Sequence, residues 1–271
     1  MEFAYLDFLL SEQANIRAGL TLTPLGMINQ THEPNTFFGN KRPIVETTVL
    51  PTTMRENGVG VYGQFAGGSL EYSAYIQNSW DATGLSGEGL GHVKQEGAAL
   101  ANDLALTGDL EWHPAPGATV GVSAWHGNMG QGQSFDGQKP DVPMTLWDVH
   151  AEYKAGPVWL RALYSQATID DTLAVNRGLA TDDSGNPVSD EAIPEKMTGW
   201  YVEAGYDIMP MLGGPGEQKL YPWVRYSSLD TQASLASDVK SAGFTADPAN
   251  DRAVTAVGLH YMPHPQVAVK A

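Results

Sequence analysis

The chain contains no cysteine, which excludes a disulfide framework, a thiolate nucleophile and any thiolate metal site. Basic residues are scarce too: fifteen Lys and Arg stand against 31 Asp and Glu, for a net charge of −16. A balance of that sign argues against nucleic acid as a partner, because binding by counterion release needs a cationic surface. No stretch approaches 18 uninterrupted apolar residues, so no helical membrane span is expected. Barrel strands escape that test, since each needs only about 9 to 11 residues with alternate positions apolar. The opening MEFAYLDFLL has neither a basic n-region nor a small-residue cleavage site; no signal peptide is visible, and export would mean that the original N-terminus has been removed.

Turn-formers and aromatics are plentiful. Thirty glycines, 17 prolines and 17% charged residues favour an all-β chain rich in turns over a helical one. Seven Trp and eleven Tyr supply rings with a polar tip, the type that membrane interfaces recruit.

Period-two alternation recurs along the whole length. Ile16, Ala18, Leu20 and Leu22 oppose Arg17, Gly19, Thr21 and Thr23; Leu70, Tyr72, Ala74 and Ile76 oppose Glu71, Ser73, Tyr75 and Gln77. Trp147, Val149, Ala151 and Tyr153 oppose Asp148, His150, Glu152 and Lys154, and Trp200, Val202, Ala204, Tyr206 and Ile208 oppose Tyr201, Glu203 and Asp207. Similar runs lie at 3–10, 59–65, 104–112, 119–124, 158–165, 224–226, 257–261 and 267–270, giving twelve strands. Short turns alternate with long loops at about 24–58, 78–103, 127–143, 168–196 and 229–251. Short turns at one end and long loops at the other form the pattern of a transmembrane antiparallel β-barrel, with the short turns periplasmic and the long loops extracellular. A soluble β-sandwich, the alternative, also alternates apolar and polar positions, but does not collect its long structureless loops on one side of the connectivity. Tyr72, Trp112, Trp147, Tyr153, Trp200, Tyr206, Tyr226 and Tyr261 sit on the apolar faces, as interfacial girdles do. If both termini of such a barrel are periplasmic, an odd number of strands is missing at each end. Residues 1–271 are therefore expected to form one barrel domain truncated at both ends.

The succession NIRAGLTLTPLGMINQTHEPNTFFGNKRPIVETTVLPTTMRENGVGVYGQF, Asn15 to Phe65, resembles the strand, long loop and strand of the phosphate-selective porin O and P family of Gram-negative bacteria. LYPWVRY and AVGLHYMPHPQVAVKA resemble late strands of the same family. The resemblance implies a sixteen-stranded barrel in the outer membrane of a Gram-negative bacterium, with three strands before Met1 and one after Ala271. It also implies a homotrimer embedded in outer-membrane lipid, without a cofactor, that passes small hydrophilic solutes or inorganic ions by diffusion.

In a pore, wall charges and the narrowest loop set what passes. With polar faces turned to the lumen, the acidic candidates are Asp7, Glu71, Asp109, Glu111, Asp148, Glu152, Glu203 and Asp207; the basic ones are Arg17, Lys154, Arg161, Arg225 and Lys270. Phosphate selectivity, which the resemblance implies, requires a ladder of Lys or Arg. No such cluster is visible on one wall, so the residues favour a general or mildly cation-preferring pore, unless the charges merely solvate a wide wall. The loop 24–58 is the constriction candidate and carries His32, Glu33, Lys41, Arg42, Glu46, Arg55 and Glu56. Arg42 and Arg55 either face an anionic solute or pair with carboxylates and fix the loop.

Catalytic residues are not expected: neither GxSxG nor HExxH occurs, and GLSGEGLGH lacks the context of a dinucleotide site. His126, His150 and His260 lie on separate strands without ligand spacing, so no metal site is expected. The acidic stretch 182–195 does not match an EF-hand and reads as a solvated loop. DTQASLASDVKSAGF and GAALANDLA read as short loop helices. Two further function classes remain beside the channel: a soluble β-rich binding or surface protein, and a non-conducting barrel serving as a structural or receptor platform.

Overall fold

The computed structural model describes residues 3–94 and 100–271. Twelve strands form one antiparallel sheet in sequence order: β1 (Ala4–Leu9), β2 (Asn15–Leu22), β3 (Arg55–Phe65), β4 (Leu70–Asn78), β5 (Leu104–Ala115), β6 (Ala118–Asn128), β7 (Pro143–Ala155), β8 (Val158–Ile169), β9 (Lys196–Tyr206), β10 (Lys219–Ser234), β11 (Asp251–His264) and β12 (Val267–Lys270). Every run of alternation therefore becomes a strand, each paired with the next. No second sheet packs on the first among the described residues, which sets aside the sandwich.

The alternation sorts side chains as the sheet requires. On one face Val59, Val61, Leu106, Leu110, Val122, Val149, Leu160, Val202, Val224 and Leu259 remain exposed, and Val257 is 72% exposed. So large a contiguous apolar surface on a folded chain marks contact with another apolar phase. The aromatics expected on this face lie there: Tyr72 stacks on Phe65 near a short turn, and Trp147 pairs with Tyr164 and Trp200 with Tyr226 farther along the strands. The opposite, inner face carries the polar partners and the buried core.

Connections alternate as expected. Two-residue turns join β5 to β6 and β7 to β8, and each needs a glycine because Gly117 and Gly156 adopt φ of 78° and 56°, the left-handed region that disfavours a Cβ. The long connections are shorter than the sequence indicated, because strands run on into them. β3 begins at Arg55, where Arg55 pairs with Leu22 and Glu56 with Thr21; the loop 24–58 thus ends four residues early. β10 continues through Ser234, so only Ser237–Ser241 of DTQASLASDVKSAGF is helical. Residues 97–99 of GAALANDLA lie outside the described residues, and its end, Leu104 and Ala105, belongs to β5. Ile208 and Asp207 lie beyond β9 rather than in it. One helix not expected from the sequence, Thr172–Leu179, buries Ala174, Val175 and Asn176 in the fourth long loop.

The core sits at the long-loop end of the inner face. Trp80 stacks on Trp125 with ring centroids 4.4 Å apart. Leu25, Val45, Val49, Leu50 and Met54 of the first long loop join Leu146, Leu163, Tyr201 and Leu229 of the strands in one buried cluster.

Candidate functional site

The segment 23–54 folds back over the inner face instead of projecting from the sheet. Its neck is closed by Asn29, whose amide nitrogen donates to the carbonyls of Thr23 (2.7 Å) and Met54 (3.0 Å) while its oxygen accepts from Met54 N (2.9 Å). An amide satisfies donors and acceptors of both arms at once, which a carboxylate could not.

Three anchors then fix the segment to the strands. At Gly26, the backbone N–H donates to Ser123 Oγ of β6 and Asp148 Oδ2 of β7, both at 3.1 Å. The second anchor is Glu46, within a single helical turn, Val45–Thr48. Its Oε2 accepts from Met27 N (2.9 Å) and Ile28 N (2.8 Å), and its Oε1 accepts from the Tyr201 hydroxyl of β9. Burial of this carboxyl outweighs the bonds it accepts and raises its pKa above the usual range.

The third anchor is aromatic. Phe38 is fully buried with its ring 4.5 Å from Trp159, 5.7 Å from Tyr221 and 5.8 Å from Trp223, and His260 meets it edge-on at 5.4 Å. Gly205 makes room for the ring: a Cβ there would lie 2.4 Å from it. Around this nest runs a network of buried charge. Arg225 Nε donates to Glu203 Oε2 at 2.6 Å and its Nη2 to the carbonyl of Phe38 at 2.9 Å. Arg161 pairs with Glu152, reaches the carbonyl of Thr36, and lies 3.8 Å from Glu203 Oε1. Buried guanidinium groups need carboxylate and carbonyl partners; here the docked segment supplies the carbonyls, and Arg161 Nη1 alone of the two groups' nitrogens is buried without a hydrogen-bond partner among the described residues.

The expected site residues thus divide. Asp148, Glu152, Arg161, Glu203 and Arg225 lie on the inner face but are engaged with one another or with segment 23–54. Lys154 is exposed over the Trp159 ring, its Nζ 3.5 Å from the centroid, and Lys270 lies over Phe37 at the same distance. Asp207 belongs to a turn, not to the wall: it accepts from Met209 N and Leu220 N, each at 3.0 Å, and pairs with Lys219 at 3.0 Å. A chain that has left the strand leaves backbone N–H groups to be capped, which explains its position.

On β1–β5 the inner face is open. Arg17 forms a bidentate pair with Asp7 at 2.8 and 2.9 Å, and a cavity of about 320 Å³ is lined by Arg17, Tyr62, Glu71, Tyr75 and Asp109 among others. Asp109 accepts from Ser73, while Glu71, Glu111 and His113 cluster at the short-turn end.

Among the loop candidates, Glu33 and Lys41 are exposed. His32 has Nδ1 2.9 Å from the carbonyl of Asn29. Arg42, half-buried, donates to Thr52 Oγ1 at 2.9 Å and so braces the two arms of the segment. Glu46 is not a free loop charge but the buried anchor, and Arg55 and Glu56 are strand residues. Asp182, in the acidic stretch, accepts from Ser184 N and Asn186 N, both at 2.8 Å; these bonds, with that from the Asn186 side chain, hold its pKa below the usual range and define a self-contained turn. Sequence reading missed Phe38, Trp159, Tyr221 and Trp223. The one available signal was a run of rings at positions 159, 221 and 223, on the face otherwise polar.

No family model matches the chain. An uncharacterized protein of Aquifex aeolicus (strain VF5) is 31% identical over 277 residues, covering 100% of this chain and 60% of that protein. The chain thus spans about three fifths of the length of this relative. Among solved structures, Salmonella typhi OmpF in complex with daunomycin superposes with a TM-score of 0.57 at 15% identity, over 96% of this chain and 66% of that one. An anion-selective porin from Comamonas acidovorans superposes with a TM-score of 0.49 at 12% identity, over 96% of this chain and 61% of that one. With the apolar outer face and the strand order already described, the likeness to OmpF identifies the fold as that of an outer-membrane β-barrel porin.

Proposed function

We propose that the chain forms the wall of a passive diffusion channel for small hydrophilic solutes and ions in the outer membrane of a Gram-negative bacterium, and that segment 23–54 is its constriction. The observation that carries this reading is the docking of that segment on the polar inner face, by three separate anchors, of a sheet whose other face is apolar and exposed. A loop held across a polar wall narrows whatever passes along it, and charges left uncovered beside it set the preference. The resemblance of Asn15–Phe65 to phosphate-selective porins supports a homotrimer and anion passage. The charges point elsewhere: on the open wall Arg17 is neutralised by Asp7, leaving Glu71, Asp109 and Glu111, and we favour a general, mildly cation-preferring pore.

The test is reconstitution of the intact protein in planar bilayers. Stepwise conductance with a cation-favouring reversal potential under a KCl gradient is expected. Absence of steps would leave a non-conducting platform and refute the channel; an anion-favouring potential would refute the charge argument.

A further inference from the structure

Two of the open-wall carboxylates belong to a tighter constellation at the short-turn end. Glu71 of β4 and Glu111 of β5 are direct cross-strand partners, and like charges placed opposite each other destabilise a strand pair. His113 lies two residues beyond Glu111 on the same face, with Nε2 3.9 Å from Glu71 Oε1 and 3.8 Å from Glu111 Oε2. Its other nitrogen, Nδ1, lies 3.0 Å from Thr119 Oγ1. With the proton on Nδ1, that hydrogen bond fixes the ring and leaves the Nε2 lone pair aimed at the carboxylates, the outer-sphere support typical of a ligating histidine.

The same row of the sheet continues through Gly121 of β6 to His150 of β7. A Cβ at Gly121 would lie 2.2 Å from His150 Nε2. Because no side chain stands there, His150 leans across β6 until Nε2 is 3.7 Å from Glu111 Oε1. His150 is 4% exposed and its Nδ1 is engaged with Asp148 Oδ1 at 2.7 Å. Nε2 has no hydrogen-bond partner among the described residues, and 3.7 Å is too long for one. A buried nitrogen without a partner is costly, and this one points at the carboxylate pair.

We propose that Glu71, Glu111 and His113 bind a single divalent transition-metal ion of the zinc type, at the carboxylate that the unpartnered Nε2 of His150 faces. The three donor atoms lie within 4.8 Å of one another. Ligands about 2.0–2.1 Å from a tetrahedral zinc stand roughly 3.3 Å apart, so the imidazole nitrogen and the two carboxylates, at 3.8 and 3.9 Å, need draw together by only about half an ångström. Imidazole with carboxylates suits Zn²⁺, Ni²⁺ or Cu²⁺, whereas Ca²⁺ and Mg²⁺ take oxygen ligands. The ion would offset the like-charge pair, and the side chains of Glu71, Glu111 and His113, 53%, 31% and 29% exposed, leave it reachable by water and by ions in the cavity.

The test is calorimetric titration of ZnCl₂ into tag-free intact protein folded in detergent, with electron paramagnetic resonance of a Cu²⁺-loaded sample. One Zn²⁺ per chain is expected; Glu71→Gln and His113→Gln should each weaken binding at least tenfold, and Asp182→Asn, in a distant loop, should leave it unchanged. Nitrogen coupling in the Cu²⁺ spectrum should be lost in His113→Gln. Glu71→Gln, at a half-exposed position, keeps the test decisive if the histidine variant does not fold. Wild-type affinity no higher than that of the Glu71 variant, or nitrogen coupling that survives in His113→Gln, overturns the site. Binding is read at equilibrium in detergent, so its failure is separate from any failure to conduct.

Discussion

Glu46 offers the sharpest test of how segment 23–54 is held, because one carboxyl takes three hydrogen bonds from two backbone N–H groups and the Tyr201 hydroxyl. Glu46→Ala leaves three buried donors without an acceptor. At about 1–3 kcal/mol for each stranded group, docking should weaken by on the order of 3 kcal/mol or more, which is about two decades in the docked population. Glu46→Gln is different: its amide oxygen accepts from Met27 and Ile28 while its NH₂ donates to Tyr201, so docking should survive. The pH dependence follows from the raised pKa. A carboxyl that holds its proton more tightly when docked favours docking in the protonated state; that contribution is complete below its ordinary value of 4.5 and is lost as pH rises through the raised value.

Two assays report on the segment. Trypsin cleavage after Lys41, the bond after Arg42 being protected by Pro43, should be fast in folded Glu46→Ala and slow in wild type and Glu46→Gln. Single-channel conductance should fall as wild type is acidified through that window, stay flat over it in Glu46→Gln, and be raised throughout in Glu46→Ala. An alanine variant as resistant to trypsin as wild type, or a glutamine variant with the wild-type pH response, would refute the reasoning.

Two further outcomes are expected. Phe38→Ala removes the ring at the centre of the aromatic nest, a loss of about 3–5 kcal/mol for a buried Phe; Gly205→Val should reproduce its raised protease sensitivity by occupying the ring's place, and protection of segment 23–54 in both variants would contradict the anchor. Val122→Arg, on the outer face in β6, should cost roughly 2–4 kcal/mol of folding stability in lipid, read by urea unfolding in vesicles, whereas Gln64→Arg on the inner face should change it by no more than about 0.5 kcal/mol. Equal effects would refute the assignment of the two faces.

The strands were legible because their signal is local. Period-two alternation in runs such as Leu70–Gln77 and Trp147–Lys154 fixes which side chain faces which way, and the sheet follows it at every strand. Boundaries were less legible where a strand leaves the apolar band. Arg55, Glu56 and Asn57 read as loop because they are polar, yet they continue the ladder of β3 against β2; beyond the band, pairing continues without apolar residues to announce it. Phe38 was hidden for the opposite reason. Its partners Trp159, Tyr221 and Trp223 sit on the polar face, where alternation alone gives no reason to place a ring.

Which charges are free to meet a solute was not legible at all, because it depends on contacts between residues far apart in sequence. Tyr201 meets Glu46 across 155 residues, Arg161 meets Thr36 across 125, and Arg225 meets Phe38 across 187. Alternation assigns Asp148, Glu152, Arg161, Glu203 and Arg225 correctly to the inner face but says nothing of a segment lying on top of them. Counting every inner charge gives an acidic excess, and the open wall on β1–β5 gives one too, for a different reason. Both buried arginines, Arg161 and Arg225, are engaged beneath the segment, and Arg17 is matched by Asp7. What remains on the open wall is Glu71, Asp109 and Glu111, concentrated on two adjacent strands. A cation preference built this way should be local and should fall sharply on neutralising two of those carboxylates. A preference spread evenly over the inner face would instead shift little with each substitution, so the reversal potential of a Glu71→Gln/Glu111→Gln double variant separates the two.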